Sequence, residues 1–217
     1  MTRPTIKEMI KNLLLDLGGV MVTLDRNQAV ARFQKMGIHD ADKFLDPYKQ
    51  AGLFLRLESG DFTRETFTAE LNKTYRTDLT IEDVEYGLTG YFLRVDDEKF
   101  DYILHDLPKD VRVFCLSNTN PFATHAMEDT RFLSSHIPIR MHFEEMFLSY
   151  ELGMCKPDPR IFRIILERTG IRAEETLFLD DGAANTLEAR RQGFVTYKPD
   201  NGENWIPVVS RIIGKEA

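Results

Sequence analysis

Several side chains that could handle a charged substrate follow short apolar runs of this chain. Asp16, Ser117 and the pair Asp180-Asp181 each come directly after such a run, and Lys156 precedes a proline where a helical pattern begins. If the apolar runs are parallel strands, their carboxyl ends meet at one edge of a sheet, where open α/β sheets bind ligands. Three carboxylates, a hydroxyl and an ammonium group are costly to bury together and therefore indicate a functional site.

This set of side chains suits phosphoryl transfer through a covalent carboxylate. Asp16 supplies the nucleophile and would form an aspartyl phosphate. A hard divalent cation on oxygen ligands would cancel the repulsion between the carboxylate and the phosphate, and Asp16 and Asp181 are the natural carboxylate ligands. Ser117 would hydrogen-bond the phosphoryl oxygens, while Lys156 would neutralise charge on the nucleophile and on the transferring group.

Each of these residues also has an ordinary structural interpretation. Asp16 alone could cap a helix or shape a turn, and Ser117 could be a turn residue. Lys156 could be a surface lysine before a proline, and Asp180-Asp181 could begin a helix. The functional interpretation depends on all of them occurring together, in order and at strand ends.

The elements that would position these residues alternate along the second half of the chain. Apolar runs predict five strands, and helical patterns separate the later ones, which implies right-handed βαβ units and a parallel sheet. The predicted strands cover about 13–15, 111–116, 146–149, 176–179 and 194–197.

The segment between the first and second of these strands has a different pattern. It contains no convincing strand, and its predicted helices cover 26–36, 40–50, 63–75 and 80 to about 93, with Asp25 as the first N-cap. The sequence therefore predicts an α/β protein with a Rossmann-like, five-stranded parallel sheet flanked by helices. Residues 1–24 and 95–217 would form this core, and residues 25–94 an inserted all-α module.

The composition limits the classes of function. The chain has 217 residues and a net charge of -7, and its Lys and Arg residues are scattered, which argues against nucleic-acid binding. Cys115 and Cys155 form no metal-binding or disulfide motif, so a reduced, cytoplasmic protein is expected. Charges of both signs before Asp16 predict neither a signal peptide nor a membrane anchor. Monomer and homodimer remain equally open.

With its motifs in order, the chain resembles the haloacid dehalogenase superfamily over its whole length. It is most similar to the branch with sugar-1-phosphatases and the phosphatase domain of soluble epoxide hydrolases, in which a helical cap follows the first motif. The four matching segments are Leu15-Asp16-Leu17-Gly18-Gly19-Val20, Leu116-Ser117-Asn118-Thr119-Asn120, Gly153-Met154-Cys155-Lys156-Pro157, and Phe178-Leu179-Asp180-Asp181 with Asn185.

The resemblance implies a Mg²⁺-dependent phosphatase of a small phosphorylated metabolite, of which a sugar phosphate is one candidate. It further implies that Asp181 contacts the metal directly and that Gly18 contributes its backbone carbonyl as a ligand. Asp180 would help to orient the metal site without contacting the metal itself. Asn118 and Gly19 would join Ser117 and Lys156 in binding the substrate. Substrate choice would lie in the cap, where no sequence code can be read.

One position departs from the family. Its phosphatases usually carry a second Asp two residues after the nucleophile, which protonates the leaving group and later activates water. Here that residue is Gly18. Loss of such a group typically costs about 10²- to 10⁴-fold in rate. Because the sugar-1-phosphatase branch also has Asp-x-Gly members, Gly18 does not by itself indicate an inactive enzyme. Asp25 is a candidate substitute acid, with a plain helix N-cap as its alternative.

Two other functions remain in view. A 2-haloacid dehalogenase uses the same nucleophilic Asp on carbon and needs no metal, but it would have no use for Asp180-Asp181 beside an anionic substrate. A non-catalytic module that binds a phosphorylated ligand or a protein partner is supported only by Gly18.

Overall fold

The computed structural model describes residues 10–45 and 52–214 of the chain. Five of the strands in these residues form a parallel sheet in the order β5-β4-β1-β6-β7, and two form a separate antiparallel ribbon, β2-β3. The predicted five-stranded parallel sheet is therefore confirmed. In chain order the strands are β1 (Asn12–Leu15), β2 (Val22–Leu24), β3 (Phe92–Val95), β4 (Arg112–Ser117), β5 (Glu145–Leu148), β6 (Thr176–Leu179) and β7 (Val195–Tyr197).

Helices cover both faces of this sheet, and its central strand is accordingly apolar from Leu13 to Leu15. Leu13 and Leu15 of β1 belong to one hydrophobic cluster, while Leu14 points to the other face and joins a second cluster with Phe162. Successive side chains of a strand alternate between its faces, so a strand buried on both sides reads as a continuous apolar run. This burial is what leaves the polar Asp16 at the carboxyl edge.

The helices follow the predicted alternation closely after β3. None of the helices in the described ranges is long and apolar enough to cross a membrane. In chain order they are α1 (Arg26–Lys35), α2 (Ala41–Phe44), α3 (Gly52–Glu58), α4 (Arg64–Tyr75), α5 (Ile81–Leu88), α6 (Asp97–Asp101), α7 (Pro121–Glu128), α8 (Ser149–Leu152), α9 (Pro159–Thr169), α10 (Ala183–Arg191) and α11 (Ile206–Ile213).

The five helices between β2 and β3 build a hydrophobic cluster of their own. Phe33, Phe67 and Val84 are fully buried in it, and Phe122 at the start of α7 is its contact with the sheet domain. An inserted module needs a hydrophobic core of its own, and this cluster provides one. The cluster supports the expected module at 25–94, whose boundaries stay a prediction.

Two features of this segment differ from the prediction. Helix α5 ends at Leu88, and Phe92–Val95 forms strand β3, whereas the sequence pattern predicted helix to about residue 93. Strand β3 pairs with β2, so an antiparallel ribbon borders the helices and the inserted segment is not all-α at its edges. The pairing partner lies far away in sequence, and such a tertiary contact overrides a local helical pattern. Of the helix predicted at 40–50, residues 46–50 lie outside the described residues.

A buried lysine holds the loop that follows β1. Lys99 Nζ donates a hydrogen bond to the carbonyl oxygen of Val20 at 2.7 Å and lies 3.0 Å from Asp96 Oδ2. The indole of Trp205 donates to the same Val20 carbonyl at 2.9 Å. A buried ammonium group is tolerated only when it is paired, so Lys99 must keep both Asp96 and the Val20 carbonyl as partners. These contacts hold the loop that follows Gly18 against the rest of the core.

We expect Lys99→Met to destabilise the protein strongly. Methionine fills the same space, but Asp96 loses its buried cation and keeps only the exposed Arg94, so the cost approaches the value of about 3–5 kcal/mol for removal of one partner of a buried pair. The free energy of unfolding from urea titration measures the loss. Lys73→Met is the control, because the Lys73 side chain is 79% exposed and its ion pair is a surface one; its expected effect is below about 0.5 kcal/mol. Equal losses in the two variants would contradict a role for the buried pair.

Candidate active site

The carboxyl ends of three neighbouring strands bring the sequence-predicted carboxylates together. Asp16 follows β1, and Asp180 and Asp181 follow β6, while Ser117 ends β4. Each of the three carboxylates offers an oxygen atom within 4.8 Å of the others. The register accounts for this proximity, because β1 pairs in parallel with both β4 and β6: Leu15 lies opposite Leu179, the last residue of β6, and opposite Cys115, two residues before the end of β4.

Lys156 lies at the centre of this group, in the loop before α9. Its Nζ is 2.8 Å from Asp16 Oδ2 and 2.6 Å from Asp180 Oδ2, and it donates to the carbonyl of Leu116 at 2.9 Å. Asn118 holds the backbone of Lys156 on both sides, accepting from its N–H at 2.7 Å and donating to its carbonyl at 3.0 Å. The side chain of Asn118 is therefore engaged in positioning Lys156.

The charges of these groups depend on one another. Burial lowers the pKa of Lys156, but Asp16 and Asp180 more than offset this effect and raise it above its ordinary value. Burial raises the pKa of Asp16, Lys156 opposes the rise, and Asp180 and Asp181 add repulsion. Burial, together with repulsion from Asp180, also raises the pKa of Asp181. Three carboxylates around one ammonium group leave a deficit of positive charge at this edge of the sheet.

The two neighbouring aspartates have different surroundings. Asp180 is fully buried, and its oxygens accept from Lys156, from the N–H of Gly182 at 2.7 Å and from Asn185 Nδ2 at 2.9 Å. Asp181 is partly exposed and lines the cavity above Asp16. Only Asp181 of this pair therefore presents its carboxylate to the cavity.

The two glycines after Asp16 leave room for neighbouring side chains. Gly19 has a φ of +74°, and a Cβ at this position would lie 2.2 Å from Asp181 Oδ2, so only glycine allows Asp181 to approach. A Cβ at Gly18 would lie 2.8 Å from Leu24 Cδ1. Leu24 thus occupies the space next to the position where the family usually carries its acid.

A cavity of about 320 Å³ opens above Asp16. Its polar end is formed by the strand ends, and its outer wall comes from the helices between β2 and β3. The rings of Phe54 and Tyr91 stack there with centroids 6.1 Å apart. The described part of the chain contributes no Lys or Arg to the lining of this cavity. The described lining residues are Asp16, Leu17, Gly18, Val22, Leu24, Phe44, Phe54, Leu55, Glu58, Leu88, Tyr91, Phe92, Ser117, Asn118, Thr119, Asn120, Ala123, Met127 and Asp181.

Asp25 is not brought to this cavity. Its Oδ1 accepts from the N–H of Asn27 at 2.9 Å, which is the N-cap contact of α1, and its Oδ2 lies 3.5 Å from the amide of Gln28. The described lining of the cavity does not include it. The geometry therefore favours the N-cap interpretation of Asp25 over its interpretation as a substitute acid.

A carboxylate that sequence reasoning missed lies in the cavity instead. Glu58, the last residue of α3, lines the same space as Asp16 and Asp181. The one signal in the sequence was a carboxylate at the end of an apolar helical stretch, Leu53-Phe54-Leu55-Arg56-Leu57. Such a residue is ordinarily a solvated end of a helix, and only the docking of α3 against the sheet edge distinguishes it.

Known proteins are similar in sequence to most of this chain. The sequence model of the haloacid dehalogenase-like hydrolase family matches residues 10–193. A D-ribitol-5-phosphate phosphatase from Bacteroides thetaiotaomicron is 41% identical over 197 residues, which cover 91% of this chain and 95% of that protein.

Solved structures give the same result. A predicted hydrolase of the haloacid dehalogenase-like family from Porphyromonas gingivalis matches with a TM-score of 0.91 and 42% identity, over 96% of this chain and 100% of that chain. A haloacid dehalogenase family enzyme from Bacteroides thetaiotaomicron, in complex with magnesium and inorganic phosphate, matches with a TM-score of 0.84 and 31% identity, over 92% and 98% of the two chains. Because the family model spans most of the sequence and these relatives align over most of both chains, the protein belongs to the haloacid dehalogenase-like hydrolase family.

Proposed function

We propose that this protein is a Mg²⁺-dependent phosphatase that hydrolyses the monophosphate ester of a small sugar or polyol through an aspartyl phosphate on Asp16. The observation that carries the proposal is the position of Asp16 at the polar end of the cavity, 2.8 Å from the buried cation of Lys156 and beside Asp181. The names of the relatives give independent support, since one acts on D-ribitol 5-phosphate and another was crystallised with magnesium and phosphate.

The donor set fits a magnesium ion. Asp16 and Asp181 present carboxylate oxygens to the same space, and oxygen ligands are those that Mg²⁺ prefers. We assign these two side chains and the backbone carbonyl of Gly18 as ligands, because the oxygens of Asp180 are already occupied by hydrogen-bond donors. When bound, the ion supplies the positive charge that the carboxylate cluster lacks and neutralises the phosphoryl group.

In this proposal each of the site's side chains has a separate role in the reaction. Asp16 attacks phosphorus, while Lys156 and the hydroxyl of Ser117 stabilise the charge on the transferring oxygens. Asp180 and Asn118 hold Lys156 in place, and neither contacts the substrate through its side chain in this assignment. The alcohol that leaves would occupy the outer part of the cavity, and water would then hydrolyse the aspartyl phosphate.

The lining of the cavity supports a small, neutral leaving group. Three carboxylates, those of Asp16, Glu58 and Asp181, face the space, and the described lining offers no Lys or Arg to pair with a second anion. The stacked rings of Phe54 and Tyr91 give a flat apolar wall of the kind that packs against the carbon face of a sugar or polyol.

We expect purified protein to release phosphate from ribitol 5-phosphate only in the presence of Mg²⁺. Treatment with EDTA should abolish turnover, and added Mg²⁺ should restore it. Asp16→Asn should lower kcat by about 10³-fold or more, because the covalent nucleophile is lost. The matched control is Asp110→Asn, an exposed residue of the loop before β4, which should behave as the wild type. Turnover that survives either EDTA or Asp16→Asn would rule out this mechanism, and chloride release from a 2-haloacid without metal would favour a dehalogenase.

A second prediction concerns the charge of the substrate. Ribose 5-phosphate and ribose 1,5-bisphosphate differ by one phosphate group, and the additional anion would face carboxylates in the described lining. Like charges placed together cost several kcal/mol, so we expect kcat/KM to be about tenfold or more higher for the monophosphate. Phosphate release at several substrate concentrations measures both values. A preference for the bisphosphate would show that a cation reaches the outer cavity.

A further inference from the structure

The reaction lacks a proton donor at the position where the family usually carries one. Gly18 has no side chain, and Leu24 occupies the space beside it. An alkoxide is a poor leaving group, so the oxygen of a sugar or polyol must receive a proton as its bond to phosphorus breaks. The donor must therefore come from elsewhere in the cavity.

Elimination leaves one side chain for this task. The acidic groups among the described residues of the lining are Asp16, Glu58, Tyr91 and Asp181. Asp16 is the nucleophile, Asp181 is assigned to the metal, and the hydroxyl of Tyr91 donates to the carbonyl of Leu45 at 3.1 Å. Only Glu58 has no other role.

The position of Glu58 relative to the sheet edge is fixed by its neighbours in the chain. A Cβ on Gly60 would lie 2.2 Å from the carbonyl oxygen of Tyr150, so the backbone after α3 packs directly on α8. Ser59 Oγ lies 3.6 Å from the sulfur of Cys155, the residue before Lys156. Two adjacent contacts thus hold Glu58 over the loop that carries Lys156, although Glu58 belongs to the inserted segment.

The carboxyl group of Glu58 is available for proton transfer. Within residues 10–45 and 52–214, no hydrogen bond or ion pair engages it, and Arg56 on the same helix pairs with Asp61 at 2.9 Å instead. Asp16, Lys156 and Cys155 are the ionisable groups that interact with it electrostatically. Burial and, to a smaller extent, repulsion from Asp16 raise the pKa of Glu58 to about 7, although attraction to Lys156 opposes this rise. A carboxyl group with this pKa exchanges readily between its protonated and ionised forms near neutral pH.

We propose that Glu58 is the catalytic acid and base that Gly18 cannot supply. In the first step the Glu58 carboxyl gives its proton to the alcohol oxygen as the P–O bond breaks and the Asp16–phosphorus bond forms, which leaves a Glu58 carboxylate. In the second step this carboxylate takes a proton from the water that attacks phosphorus, so that inorganic phosphate leaves and both Asp16 and Glu58 return to their initial states. This inference rests on the phosphatase function proposed above.

A series of three substrates tests the proposal in Glu58→Gln. The leaving oxygens of ribitol 5-phosphate, phenyl phosphate and p-nitrophenyl phosphate need progressively less protonation, and the two aryl esters have no hydroxyl groups that Glu58 could bind. We expect kcat/KM to fall by about 10²- to 10⁴-fold for ribitol 5-phosphate, less for phenyl phosphate, and by under about tenfold for p-nitrophenyl phosphate. Rapid mixing should also show a burst of about one equivalent of nitrophenolate, because the second step has lost its base.

The controls separate this role from a structural one. Glu65→Gln carries the same chemical change on an exposed position of α4 and should match the wild type, while Glu58→Asp should recover part of the lost rate. Equal losses with all three substrates, no loss with ribitol 5-phosphate, or a loss confined to ribitol 5-phosphate would each overturn the proposal. A wild-type protein that hydrolyses none of the three esters would overturn the proposed function as well, whereas Asp16-dependent turnover that Glu58→Gln leaves intact overturns only the role of Glu58.

Discussion

The ion pairs of Lys156 determine how the rest of the site is arranged. A buried ammonium group is costly unless good geometry compensates for the lost water, and here two carboxylates, one backbone carbonyl and the amide of Asn118 provide that geometry. These partners come from β1, β4 and β6 and from the segments that follow them. The pairing therefore requires the three strands to end at the same edge of the sheet and the loop before α9 to reach back to them. A network of this kind contributes more to the uniqueness of the arrangement than to net stability.

Much of the fold could be predicted because its signals are local. The apolar runs and the helix caps lie within a few residues of the elements that they specify, and parallel pairing then carries Asp16, Ser117 and Asp180-Asp181 to one edge. Strand β3 escaped prediction because its hydrogen-bond partner, β2, lies on the far side of the inserted helices. The burial of Lys99 escaped because it depends on the docking of the Val20 backbone carbonyl, a group that has no sequence signature.

Asp25, which the sequence offered as a candidate acid, and Glu58, which it did not, illustrate the same limit. Asp25 precedes a helix, and the local cap contact with Asn27 accounts for it. Glu58 has no hydrogen-bond or ion-pair partner in the part of the chain that the structure describes, so its environment there depends on where α3 docks. Under the proposed mechanism the sheet edge would supply the nucleophile, while the inserted segment would supply both the wall against the alcohol and the proton that the alcohol needs. Choice of substrate and completion of the chemistry would then depend on the same helices.

The hydrogen bond from Trp205 to Val20 has a consequence for the order in which the molecule is assembled. Its two residues are 185 positions apart, so the loop beside Asp16 is anchored by a segment that is distant in the sequence. Contacts between such distant residues are slow to form, because closing a long stretch of chain costs conformational entropy before the contact can stabilise the structure. The loop that follows Asp16 is therefore fixed in place only after segments far apart in the sequence have come together.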